Sequence, residues 1–176
     1  MTSRFKEFHG TSLREKVFSE GKVLFNHDEL KADYAWDTGV GIGTYLAGLK
    51  RGVILGSYCS TCRKTVVPPR VVCEWCYRPM TDYVQIEDTG TVNTFSLCYV
   101  TWDVQRIKEP EIPAVIMLDG ASHLSETSTI MGGIMHLLGE VAPDAVQIGM
   151  RVQAVWKPED EREGAITDIL YFKPVE

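Results

Sequence analysis

The sequence contains no run approaching the ~20 consecutive apolar residues that span a bilayer, and its first ten residues carry charges without the apolar stretch of a secretion signal. Both absences point to the cytoplasm and away from a membrane. A Walker loop is missing, because no Gly-Lys-Ser/Thr triplet follows Gly39, Gly41 and Gly43. A dinucleotide fingerprint fails too, since Leu46 stands where its third glycine belongs. These glycines read instead as a flexible entry to a helix. Tandem repeats and low-complexity tracts are absent. Basic residues are few: 18 Lys plus Arg against 24 Asp plus Glu give a formal charge of -6, which disfavours non-specific attraction to nucleic acid or an anionic membrane. Cysteine numbers five, four of them in close pairs. Without an export signal such pairs read as metal ligands before disulfides.

What is present suits a folded chain. Of 176 residues 44% are hydrophobic, and a chain near this size removes roughly 70% of its unfolded surface from water. Between Thr11 and Phe25, Ser12 and Glu15 have capping-box spacing, Leu13 and Val17 lie one turn apart, and a short helix should end near Gly21. A second helix is expected from about Thr44 to Lys50, where Tyr45, Leu46 and Leu49 share a face and Gly52 offers a left-handed cap. Both are too short to be stable alone and should lie against a neighbouring surface. From Thr81 the texture changes to alternating and β-branched runs: Val84–Ile86, Thr91–Trp102, Ala114–Leu118, Ile130–Val141, Arg151–Trp156 and Ala165–Phe172. Five main strands, with one helical turn at Pro143–Val146 before the fourth, suggest a small barrel of the OB type. The acidic stretch Glu159–Glu163 would be an exposed hairpin loop.

The most specific local signal is Cys59-Ser-Thr-Cys62 followed, after ten residues, by Cys73-Glu-Trp-Cys76. Two residues between thiols let both sulfurs converge from a sharp turn, and two such claws complete the tetrahedron that Zn²⁺ accepts at Zn–S distances of about 2.3 Å. Four thiolates leave no open position for a catalytic water. The metal is therefore structural, zinc before iron. Between the claws, Arg63 and Lys64 open a segment in which Pro68 and Pro69 preclude helix and lead to Arg70. These cations suit a grip on phosphate or an acidic partner, and equally an ordinary solvated surface near a tetrathiolate of net charge -2.

Taken in order, Leu49-Lys50-Arg51-Gly52, the first claw, Val67-Pro68-Pro69-Arg70, the second claw and Ile148-Gly149-Met150-Arg151-Val152 resemble the DUF35 family over roughly Trp36–Pro174. The resemblance implies a mainly β protein with N-terminal helices, arranged as a helical segment over 1–52, a rubredoxin-like zinc ribbon over 53–80 and a C-terminal OB-fold domain over 81–176. It implies a non-catalytic subunit that helps a thiolase-like partner bind and orient a 3-oxoacyl-CoA, a subunit of an aromatic-degradation thiolase being one candidate within the family. On this view Cys59, Cys62, Cys73 and Cys76 hold Zn²⁺, while Arg63, Lys64 and Arg70 are the candidate contacts to coenzyme A or acyl-CoA. The partner supplies the nucleophilic cysteine and the histidines.

The rest of the chain offers little for catalysis of its own. Cys98, within Phe95-Ser-Leu-Cys98, reads as a small apolar residue packed in the barrel. His123 and His136 read as surface or satisfied strand histidines, and His9 and His27 lack a recognisable ligand partner. Trp36 and Tyr45 are expected to anchor a partner. Trp75, Trp102 and Trp156 read as local packing, and Met117, Met131, Met135 and Met150 as core filler before an acyl channel. The competing function is a module for single-stranded nucleic acid, with Phe95, Tyr99 and Trp102 as stacking faces, which the acidic charge disfavours.

Overall fold

The computed structural model describes residues 14–22, 34–122 and 133–175. The chain divides into two compact units, residues 1–36 and 37–176. In the first, helix α1 (Glu15–Ser19) is closed by the backbone bond from Lys22 N–H to Val17 O at 3.1 Å. Ser12, and with it the expected capping box, lies outside the described residues. Tyr34 and Trp36 meet edge to face at 5.7 Å.

The second unit opens with α2 (Gly39–Lys50), five residues earlier than the apolar spacing indicates. The glycines are helical rather than a flexible lead. Gly41, Tyr45, Gly48 and Leu49 form the buried face, and a Cβ at Gly48 would lie 2.9 Å from both Leu55 Cγ and Val53 O. Helix and strand can approach this closely because the side chain is missing. Arg51 and Gly52 end the helix by donating to Gly48 O and Leu49 O.

Strands β1 (Ile54–Cys59), β2 (Lys64–Val66) and β3 (Asp82–Ile86) form an antiparallel sheet in the order β2-β1-β3. After two residues the chain continues as β4 (Thr89–Phe95). The stretch read as one strand to Trp102 breaks at Ser96 and Leu97, and β5 (Cys98–Val100) pairs with β6 (Arg106–Glu111) in a separate hairpin. Cys98 therefore lies on that hairpin and not in the barrel wall. Strands β7 (Pro113–Leu118), β8 (Gly133–Leu137), β9 (Arg151–Trp156) and β10 (Ile169–Pro174) complete a five-stranded sheet, ordered β10-β9-β4-β7-β8. Leu138 bridges Phe172 in parallel, and Gly139 N–H donates to Phe172 O at 2.9 Å, so β8 meets β10 and the sheet closes. One antiparallel path closed by a parallel contact between its third and fifth strands is the connectivity of an OB barrel.

Alternation fills the barrel. Ala114, Ile116 and Leu118 of β7 face the core together with Val92, Val152, Ile169 and Phe172. A 3₁₀ turn at Pro143–Ala145 precedes β9, as the sequence indicates. The Ile148–Val152 motif proves structural. Gly149 adopts φ +91°, its N–H donates to Val92 O at 2.8 Å, and Arg151 forms a two-pronged ion pair with Asp119 while also donating to Thr91 Oγ1 at 3.0 Å. Between β9 and β10 a second 3₁₀ turn, Glu159–Glu161, carries the acidic stretch. The fully buried Asp168 ties that connection down by accepting from the N–H groups of Glu163, Gly164 and Ala165 at 3.0, 2.7 and 3.0 Å.

Candidate metal centre

Each claw is built the same way. Cys59 ends β1, the chain turns through Ser60 and Thr61, and Arg63 takes φ 54° before β2 returns. In the second claw Tyr77 takes φ 56°, its N–H donates to Cys73 O at 2.8 Å and Cys73 N–H donates to Arg78 O at 2.9 Å. In both, the residue after the second cysteine is left-handed, which folds the chain back and aims two sulfurs at one point.

The four Sγ atoms lie within 4.8 Å of one another, with Cys59 to Cys76 at 3.6 Å and Cys62 to Cys73 at 3.8 Å. A tetrahedron with bonds of about 2.3 Å has edges of about 3.8 Å, so the cage matches zinc. Cys73 is fully buried and Cys59 nearly so. With the sulfurs this close, one thiol hinders the ionisation of another. Burial, together with bonds among the thiols, pushes Cys62 up to about 12. Burial acts the same way on Cys73, but the backbone bonds at Cys76 and Trp75 outweigh it and bring that thiol down to about 7. Zn²⁺ held by Cys59, Cys62, Cys73 and Cys76 would resolve this competition by stabilising all four as thiolates.

Buried Ser57 ties β1 to the segment between the claws, its Oγ accepting from Arg70 N–H at 2.9 Å. The ribbon is bonded to the barrel where Thr65 N–H donates to Ser122 Oγ and Ser122 N–H donates to Thr65 O, both at 2.9 Å. The three candidate cations differ in their surroundings. Lys64 Nζ lies 5.5 Å above the Trp75 ring. The Arg70 guanidinium pairs with Glu74. Arg63 is exposed and, among the described residues, has no ion-pair partner.

Elsewhere the structure revises the assignment of aromatics. Tyr45, expected at a partner surface, is 2% exposed and belongs to the core, while Trp36 is 70% exposed. Trp102, expected to pack, is 97% exposed at the tip of the β5–β6 hairpin. Phe95 packs against the barrel core and so does not share one stacking face with Tyr99 and Trp102. His136 sits half-buried on β8. His9, His27, His123 and Met131 lie outside the described residues.

The fold and the cage define a zinc ribbon bonded to an OB barrel. Comparison with known families gives the same two parts in the same order: the ChsH2 rubredoxin-like zinc ribbon domain matches residues 46–79 and the ChsH2 C-terminal OB-fold domain matches residues 83–157. A DUF35-family protein of unknown function from Sulfolobus solfataricus superposes with a TM-score of 0.52 at 25% identity, over 67% of this chain and 79% of that one. The Ltp2-ChsH2(DUF35) aldolase superposes with a TM-score of 0.56 at 20% identity, over 81% of this chain and 98% of that one. No curated protein matches the sequence. The chain therefore carries the ChsH2 zinc-ribbon and OB-fold domains, and it shares its fold with DUF35-family proteins.

Proposed function

We propose that this protein is a non-catalytic subunit of a cytoplasmic thiolase complex acting on a 3-oxoacyl-CoA, of the benzylsuccinyl-CoA type within aromatic degradation. The observation that supports the subunit role is the ChsH2-type ribbon and barrel, because one neighbour that shares this fold is described as an Ltp2-ChsH2 aldolase. A projecting hairpin supports it. Leu97, Tyr99, Val100, Trp102 and Val104 are all exposed there, and a two-stranded ribbon is marginal in water until something packs on it. Its tip is nevertheless set, with Thr101 N–H donating to Gln105 O at 2.9 Å and Gln105 N–H donating to Thr101 Oγ1 at 3.1 Å. The hairpin is the surface on which the catalytic subunit seats.

In this reading Cys59, Cys62, Cys73 and Cys76 hold structural Zn²⁺, which fixes the segment between the claws. Arg63, Lys64 and Arg70 face the phosphates of coenzyme A, Arg63 as the freest of the three and Arg70 by exchanging Glu74 for phosphate. The catalytic subunit's thiolate attacks the ketone carbon. The bond to the α-carbon breaks, the released thioester enolate takes a proton, and the acyl group passes from the enzyme sulfur to a second CoA. This chain holds the pantetheine so that the ketone arrives already oriented, which lowers the entropy lost in reaching the reactive geometry. Assaying the catalytic subunit with and without this chain tests the role. Thiolysis should depend on both, and full activity from the catalytic subunit alone would exclude it.

A further inference from the structure

Away from the cysteines, α2, Pro68, β8 and the turn Ile166–Asp168 enclose a cavity of about 180 Å³. Leu49, Pro68, Ile134 and Ile169 line it, with Tyr45 and His136 as its polar members. Met135 and Ile166, 72% and 51% exposed, stand at its rim.

Tyr45 is 2% exposed, yet among the described residues its hydroxyl has no hydrogen-bond partner. Every side-chain polar atom fully sealed among the described residues does have one. The hydroxyl is therefore not sealed, and Tyr45 is one of the residues that line the cavity. Burial pushes the phenol up to about 12, so it remains a donor at neutral pH. His136 lines the same cavity, its ring edge-on to Phe172 at 5.7 Å. Leu137 N–H donates to Nδ1 at 2.9 Å, which leaves the proton on Nε2, 3.4 Å from Ile166 O. Burial lowers the imidazole's pKa and keeps it neutral.

An apolar cavity of this size takes about one six-membered ring, since cavities of roughly 150 Å³ accept benzene. No charged side chain lines it, so an ion entering would lose its hydration without compensation. A small apolar site with one unpartnered hydroxyl orients a ligand by a single polar contact. We infer that this cavity binds a neutral single-ring aromatic bearing one hydrogen-bonding oxygen, which engages Tyr45 Oη while the ring packs between Leu49, Ile134 and Ile169. Phenol is the simplest such ligand. The site stands independently of the thiolase reading.

Titrating the full-length, zinc-loaded protein with phenol while following its methyl resonances tests the inference. Saturable shifts confined to Ile134, Ile169, Leu49 and Met135 are expected, with a Kd in the millimolar range that suits a seven-atom ligand. Tyr45→Phe, which keeps the ring and the packing, should weaken phenol binding about tenfold, the loss of one hydrogen bond. Toluene should bind wild type and Y45F equally. Ile166→Trp, at the half-exposed rim, should block both ligands without unfolding the chain. Non-saturable or scattered shifts would overturn the site, as would phenol affinity unchanged in Y45F.

Discussion

At the scale of single residues, charge and hydrogen bonding give the sharpest expectations. Asp168 is fully buried and its carboxylate accepts three backbone N–H groups. Burial raises its pKa, but those three bonds outweigh burial and hold it below the ordinary carboxylate value of 3.8. A carboxylate depressed in the folded state contributes stability that is present above its unfolded pKa and is lost as pH falls through the folded one. Asp168→Asn should therefore destabilise the protein by about 2 kcal/mol at pH 7, and the gap to wild type should shrink as the pH drops below 3.8. Urea unfolding of both proteins across that range measures it, and a gap independent of pH would contradict the assignment. Arg63 gives the second residue-scale expectation. On the proposed role, Arg63→Ala should weaken CoA binding in the assembled complex about five- to tenfold, one charge-assisted contact, with thermal stability unchanged. Unaltered CoA affinity would remove Arg63 from the site.

At the scale of elements, the claws were legible because their chemistry is local. Two cysteines at a spacing of three need nothing distant to converge, and the four sulfurs do form one cage. Strands β7 and β9 were legible for a related reason, since Ala114-Ile116-Leu118 and Val152-Ala154 alternate with half-buried neighbours. Strand β6 was not. Its sequence Arg106-Ile-Lys-Glu-Pro-Glu111 has no apolar face because it pairs with β5 alone and leaves the barrel wall. The start of α2 was hidden because Gly39, Gly41 and Gly43 are poor helix formers, and Gly41 is placed there by the close approach of Pro69 O. Tyr45 and Trp102 exchanged places for one reason: burial of an aromatic is a tertiary fact that spacing does not carry. The hairpin supplies the element-scale expectation. Trp102→Ala should leave the chain's own stability within about 0.5 kcal/mol, as for an exposed position, and weaken association with the catalytic subunit by tenfold or more. Equal affinity, read by sedimentation or calorimetry, would move the interface elsewhere.

At the scale of the whole molecule, the sulfur cage has a small core of its own, while Ile54 and Val67 of the ribbon and Ile86 of β3 pack into the barrel's larger core. The ribbon packs Cys59, Val66, Cys73 and Met80 around the sulfurs, while the larger cluster runs from Tyr45 of α2 to Phe172 of β10. Thr65 and Ser122 bond across the two. Removing metal should therefore loosen one part and spare the other. Cys73→Ser, or a strong chelator, should open residues 59–80 to proteolysis while the barrel keeps its β signal in circular dichroism. Simultaneous loss of both would mean that ribbon and barrel fold as one cooperative unit.

Central to the proposed function is a closed metal clasp that stiffens a binding surface and takes no part in chemistry. X-ray absorption at the zinc edge, on the protein alone and in its assembled complex with acyl-CoA, tests this most directly. One zinc per chain with four sulfurs at about 2.3 Å, unchanged by the thioester, is the expected result. A nitrogen or oxygen ligand that appears when acyl-CoA is added would contradict it.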